Sequence, residues 1–127
     1  MTDLPPVAEL HTRLGIEILE ATPERVVGRM PVMGNRQPAG LLHGGATAAL
    51  MEGLGSVAAW LAGQPDRLPV GVDLNVTHLR PVRAGTVTGV ATAIRIGTGT
   101  VVHTIEVTDE QGRPTAVGRL TCQLLPR

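Results

Sequence analysis

The chain has 127 residues, a formal net charge of zero in which every basic side chain other than histidine is arginine, no Phe or Tyr, and one Trp, Trp60. That length makes a single domain, residues 1–127, with an aliphatic core, and without lysine a Schiff base is excluded. A neutral chain with one aromatic residue also lacks the electrostatic funnel and stacking platforms of a nucleic-acid binder, and phosphates are left to Arg, His or backbone N–H groups.

The first residues, MTDLPPVAELH, are acidic and proline-bearing and do not read as a signal peptide. PPVAELHTRL starts a short helix, with proline tolerated in its first turn. GIEILEA and RVVGRMPV alternate as two strands joined through Thr22, Pro23 and Glu24, and the loop MGNRQPAG follows. A long helix is then expected from His43 to Ala62, closed by Gly63 and Pro65.

From Val70 the period changes to two. VGVDLNVTHLR puts Val72, Leu74 and Val76 on one face, with His78 and Arg80 ending that face. GTVTGVATAIRIG, GTVVHTIEVTD and RPTAVGRLTCQLL complete the sheet, and the short turns between them require antiparallel neighbours. The pattern is an α+β domain: one long helix on a curved antiparallel sheet of about six strands. The least polar run, residues 40–60, is interrupted by Glu52 and by glycines and falls short of a bilayer span. Cys122 is alone, so no intrachain disulfide can form, and a reducing cytoplasmic location is expected.

Within the helix, Leu50, Leu54, Val57 and Leu61 form the stripe that should face the sheet. Glu52 lies about 200° around the wheel from Leu50 and stacks with Ala48 and with Ser56, the sole serine. A lone Glu on a helix is ordinarily solvated. Here its face is lined by Gly, Ala and Ser, which suits a ligand or partner subunit and partial burial of the carboxylate. The sequence HGG at the helix start leaves first-turn N–H groups uncovered at the positive end of the dipole, where an oxyanion can bind. His43 also has the simpler reading of a helix cap, and His78 with Arg80 that of a strand end reaching water. Gly44 and Glu52 are separated by about 12 Å along one helix, too far for one reacting carbonyl, so joint action requires two chains. His11 and His103 have no ligand-spaced partners and read as structural, Cys122 reads as core, and no metal site is visible.

QPAGLLHGGATAALMEGLGS followed by THLRPVRAG resembles the hotdog-fold acyl-CoA thioesterases. Within them it is most similar to the catalytic-glutamate branch, with 1,4-dihydroxy-2-naphthoyl-CoA thioesterase and the enterobactin-pathway proofreading thioesterase. The wider PaaI-like family usually carries Asp at this helix position. The resemblance implies that Gly44 donates its N–H to the thioester oxygen, that His43 and Gln37 position that group, and that Glu52 of the opposing subunit is nucleophile or general base, aided by Ser56. It places His78 and Arg80 at the CoA arm, with Gly71, Arg95, Gly97 and Thr98 as weaker candidates. It implies a homodimeric working unit paired again into a homotetramer, and no cofactor beyond the CoA of the substrate. The expected activity is hydrolysis of an acyl-CoA to free acid and CoA. Alternatives are a proofreading thioesterase acting on carrier-protein-bound acyl groups and a non-catalytic acyl-CoA-binding module. Lacking Phe and Tyr, the chain would hold an acyl group with Leu, Met, Val and Trp60.

Overall fold

The computed structural model describes residues 4–127. Helix α1 (Glu9–Leu14) leads into strands β1 (Glu17–Ala21) and β2 (Arg25–Pro31). The long helix α2 (Gly44–Gly63) is followed by β3 (Arg67–His78), β4 (Thr86–Ile96), β5 (Thr100–Thr108) and β6 (Pro114–Pro126). The six strands form one antiparallel sheet in the order β1-β2-β4-β5-β6-β3, and α2 packs on the sheet's inner face. The chain is therefore the expected α+β hotdog architecture.

Alternation is cleanest in the centre. Val101, His103, Ile105 and Val107 of β5 all point inward and are buried, as are Val87 and Ala91 of β4. His103 pays no isolated-polar penalty there, because its Nε2 lies 2.8 Å from the Pro23 carbonyl oxygen of the β1–β2 turn. Burial lowers its pKa, against the pull of that hydrogen bond and of Glu24.

Helix α2 buries far more than one stripe. Ala46, Thr47, Met51, Ala58 and Ala59 are buried along with Leu50, Leu54 and Val57, as befits a helix with the sheet curled around it. It begins one residue later than expected, because His43 is the N-cap with extended backbone, and it runs one residue further, through Gly63. The depth of the helix is set by missing side chains. Gly28 of β2 and Gly89 of β4 are register partners. A Cβ on the first would stand 2.5 Å from Leu54 Cδ2, and on the second 2.6 Å from Leu54 Cδ1. Leu54 thus seats both methyls in a gap made by two paired glycines.

Strand β3 departs most from the expected pattern. It starts at Arg67, not Val70, and its pairing with β6 shifts between Gly71 and Asp73, a bulge. Leu74 and Val76 pack on the core as expected, but Val72 falls in the bulge and is 53% exposed. The strand ends at His78, so Arg80 belongs to the loop beyond it. β3 is also an edge, twelve residues long and paired only with β6. No helix among the described residues is long and apolar enough to cross a membrane.

The Leu54 gap yields a stability cycle. Leu54→Ala should cost about 3–5 kcal/mol as a cavity and Gly89→Ala about 1–3 kcal/mol as overpacking. The double variant should cost at least about 1 kcal/mol less than the sum, since the new methyl enters the vacated space. Equilibrium urea unfolding at fixed protein concentration measures all three; strict additivity would show that the two groups do not share that space.

Candidate active site

Most of the residues singled out from the sequence fall into two clusters, one at each end of the α2 segment from Gly44 to Ser56. At the first, the loop before α2 is pinned by Asn35, a buried residue that the sequence reading did not select. Its Nδ2 donates to the carbonyl oxygens of Leu14 and Pro31, each at 2.8 Å, and its own carbonyl accepts from His43 N–H at 2.8 Å. Through its side-chain amide and its backbone carbonyl, this one residue ties the end of α1, the end of β2 and the cap of α2.

His43 Nδ1 accepts from the Gly45 N–H at 2.8 Å, and the His43 carbonyl accepts from Ala46 and Thr47. Of the first-turn donors this leaves the Gly44 N–H without an acceptor among the described residues. Gly44 lines a cavity of about 390 Å³ together with Gln37, Thr47, His78, Arg80 and Thr115. The His78 ring lies directly over Gly44, where an added Cβ would be 2.9 Å from Nε2. Gln37 Oε1 accepts from the Ala39 N–H, so its amide NH₂ is the group left for a ligand. The Arg80 side chain is exposed, with no ion-pair partner among the described residues. His43 itself lines a separate depression with Asn35 and Gly45.

The second cluster is a chamber of about 560 Å³ on the outward face of α2, where Glu52, Ser56 and Trp60 recur every fourth residue. Its far wall is the N-terminal segment from Leu4 to His11, with Ile18 and Pro69 completing it. Glu52 is exposed in the single chain, not partly buried as expected, because the described elements around it wall an open chamber and do not close over it. Its carboxylate makes no ion pair or hydrogen bond among the described residues. It lies against Gly71, where an added Cβ would be 2.6 Å from Oε2. Gly71 pairs with Cys122 on β6. Burial and then the Glu52 charge push the Cys122 thiol up to about 11, while a hydrogen bond with Ser56 pulls it down. A thiol held that high is protonated at neutral pH and is no nucleophile, and among the described residues Glu52 is the one acidic side chain that lines the chamber.

A single chain does not bring the two clusters together. Gly44 and Glu52 open into different cavities. Arg95, Gly97 and Thr98 lie at the opposite end of the sheet from His78: His78 stands in the row of Ala116 and Val107, whereas Ile96 shares the row of Val101, Cys122 and Gly71. At that end the Arg95 guanidinium folds beside Gly97. His11, read from the sequence as structural, lines the Glu52 chamber. Its sequence signal was only the company of Gly53, a mid-helix glycine with no evident reason to be there. Among the described residues no group of three or more His, Cys, Asp or Glu is placed to hold a metal ion.

The thioesterase superfamily matches residues 39–116 of this chain. A relative from Deinococcus radiodurans is 52% identical over 117 residues, 91% of this chain and 74% of its own. The proofreading thioesterase EntH of Cronobacter sakazakii is 41% identical over 117 residues, 91% of this chain and 80% of its own. A solved thioesterase of Staphylococcus aureus superposes with a TM-score of 0.88 at 30% identity, covering 94% of this chain and 100% of that one. The Staphylococcus protein was solved with a Gln changed to Ala and, separately, a Glu changed to Ala. Those two positions are fifteen apart, the separation of Gln37 and Glu52.

The contact between Gly71 and Glu52 makes a direct test. In Gly71→Ala the new methyl displaces the flexible end of Glu52 and nothing in the backbone, so folding should survive. Thioester hydrolysis should fall about 100-fold, the cost of moving a reacting group by about 1 Å. Turnover at the wild-type rate would show that the carboxylate's position beside Gly71 is immaterial.

Proposed function

The chain belongs to the thioesterase superfamily and is a thioester hydrolase, and we propose that its substrate is an acyl-CoA, cleaved to the free acid and CoA by a site built from two copies of the chain. The observation that carries this reading is the separation of the open Gly44 N–H from Glu52 along one helix. Each half is chemically incomplete. A donor without a base polarises a carbonyl but delivers no nucleophile, and a base without a donor meets an unpolarised one. With Gly44 of one protomer facing Glu52 of the other, the thioester oxygen takes the N–H and the carboxylate stands on the carbonyl carbon.

Glu52 then acts in one of two ways. It takes a proton from water that attacks the carbonyl, or its oxygen attacks directly, expelling the CoA thiolate and giving an anhydride that water opens. Ser56, one turn on, is placed to hold the attacking water, and the free NH₂ of Gln37 and the His78 ring to hold the carbonyl and the pantetheine arm. Arg80 serves the CoA phosphates, the loop at its cavity offering no lysine in competition. The bare β3 edge, with Val70 and Val72 exposed, is where a second copy adds backbone hydrogen bonds. A further pairing into a homotetramer and a cytoplasmic location, in keeping with the unpaired Cys122, belong to the same reading.

The chamber volume of about 560 Å³ lies within the range of small-molecule pockets, about 300–1,000 Å³. Its apolar walls and Trp60 admit a bicyclic aromatic acyl group such as 1,4-dihydroxy-2-naphthoyl as well as a medium-length aliphatic one. The 41% identity to EntH favours a second reading, in which the acyl group arrives on a carrier protein. Measuring free-thiol release from aromatic and aliphatic acyl-CoAs beside the same acyl groups on a carrier protein decides between the two. No turnover of any of them would leave a binding module.

Glu52→Gln should lower kcat by about 10²–10⁴ with little change in substrate binding. Because the residue is exposed, the variant should stay folded, and hydrolysis at the wild-type rate would remove Glu52 from the chemistry. Single-turnover hydrolysis in ¹⁸O-water separates its two modes, since label in the Glu52 carboxylate marks the anhydride. Arg80→Ala should raise KM for acyl-CoA and spare short thioesters that lack the nucleotide; equal losses on both would take Arg80 off the phosphates.

A further inference from the structure

Glycine in the interior of a helix is unfavourable by about 1 kcal/mol relative to alanine. Gly53 follows Glu52 in the middle of α2, and its environment explains it. The space a side chain would fill is occupied by the imidazole of His11, with Cε1 only 2.8 Å from where a Cβ would stand. The contact seats α1 on α2 one residue from the carboxylate and makes the segment from Leu4 to His11 a wall of the Glu52 chamber.

That wall is otherwise apolar: Leu4, Pro5, Pro6, Val7, Ala8 and Leu10. On the α2 side, Glu52 and Ser56 are committed to the reacting thioester. Trp60 is no free donor, since its indole N–H meets the Gln64 amide oxygen at 2.9 Å once that amide is turned to accept from Arg127 as well. The His11 side chain makes no hydrogen bond among the described residues, yet neither of its nitrogens is sealed from solvent. It is a polar group with unused hydrogen-bonding capacity on the acyl side of the chamber.

We infer that His11 is a specificity-determining residue, whose imidazole hydrogen-bonds a hydroxyl or keto substituent carried by the acyl group away from its thioester. Burial lowers the His11 pKa, so at neutral pH the ring offers one donor and one acceptor and adds no charge to the wall. This rests on the acyl-thioester reading of the chamber and adds to it the residue that reads the far end of the acyl group. Since the nitrogens are not fully enclosed, the discrimination is that of one ordinary hydrogen bond, about tenfold.

The test compares kcat/KM for benzoyl-CoA with its three monohydroxy isomers, and for hexanoyl-CoA with 6-hydroxyhexanoyl-CoA, in the wild type, His11→Leu and His11→Gln. The wild type should favour at least one hydroxylated substrate over its parent by about tenfold. His11→Leu should bring that ratio to within about twofold, and His11→Gln should recover part of it. If His11→Leu does not fold, His11→Gln alone decides, because moving the polar group must change the order of the isomers. A wild type indifferent to hydroxylation in both series, or variants that keep its order, would overturn the inference and leave acyl-CoA hydrolysis standing. A wild type that hydrolyses none of these thioesters would overturn the acyl-CoA reading and this inference together.

Discussion

The contact of Leu54 with the paired glycines Gly28 and Gly89 sets the geometry on which everything else depends. A core without Phe or Tyr has only aliphatic side chains and methionines to span the space between helix and sheet. Close packing is then reached by bringing the backbones together, and glycines at the crossing allow it. Gly55 repeats the device on the helix side, where an added Cβ would be 2.6 Å from Leu120 Cδ2. With Leu54 seated, the rotation of α2 is fixed. Leu50 and Met51 turn to the sheet, and Glu52 and Ser56 are carried to the open side.

The same seating fixes the axial position of the helix, and with it the Gly44 N–H beneath the His78 ring. Here the sheet and the loop cooperate. β3 delivers His78 as its last residue, while Asn35 holds the cap in place from below. Neither group finds a partner among the described residues: the N–H is unaccepted and the carboxylate unpaired. Such groups normally find partners when buried. Left open at two ends of one rigid element, they become, in the proposed dimer, half-sites held at a fixed spacing.

Much of this was legible in the sequence, for identifiable reasons. The helix, the antiparallel strands and their order of appearance follow from period and turn residues, and Glu52 stood out because a charge interrupts a run of small apolar residues. What was hidden depended on tertiary contact. The Gly71–Asp73 bulge turns Val72 outward with no change in the alternating pattern that precedes and follows it. Asn35 looks like any loop asparagine until the three backbone groups it joins are seen. His11 has no partner at any regular spacing, since what it fits is the missing side chain of Gly53. The exposure of Glu52 was misjudged for a related reason: composition shows that a helix face is small and apolar, but not whether the chain itself covers it.

That exposure bears on how the chemistry is assembled. A carboxylate buried by folding would burden the monomer with its desolvation, whereas an exposed one leaves folding nearly unaffected. In the proposed dimer the loss of water around Glu52 comes instead with association and filling of the acyl chamber, and it is offset there by backbone pairing along β3 and by apolar contact of the acyl group. Cys122 follows the opposite course. Sealed beneath Ser56 by the fold itself, its thiol is held protonated by burial and by the charge of Glu52. The chain's one thiol is thereby silenced by the fold itself, and in the proposed dimer the reaction is left to Glu52.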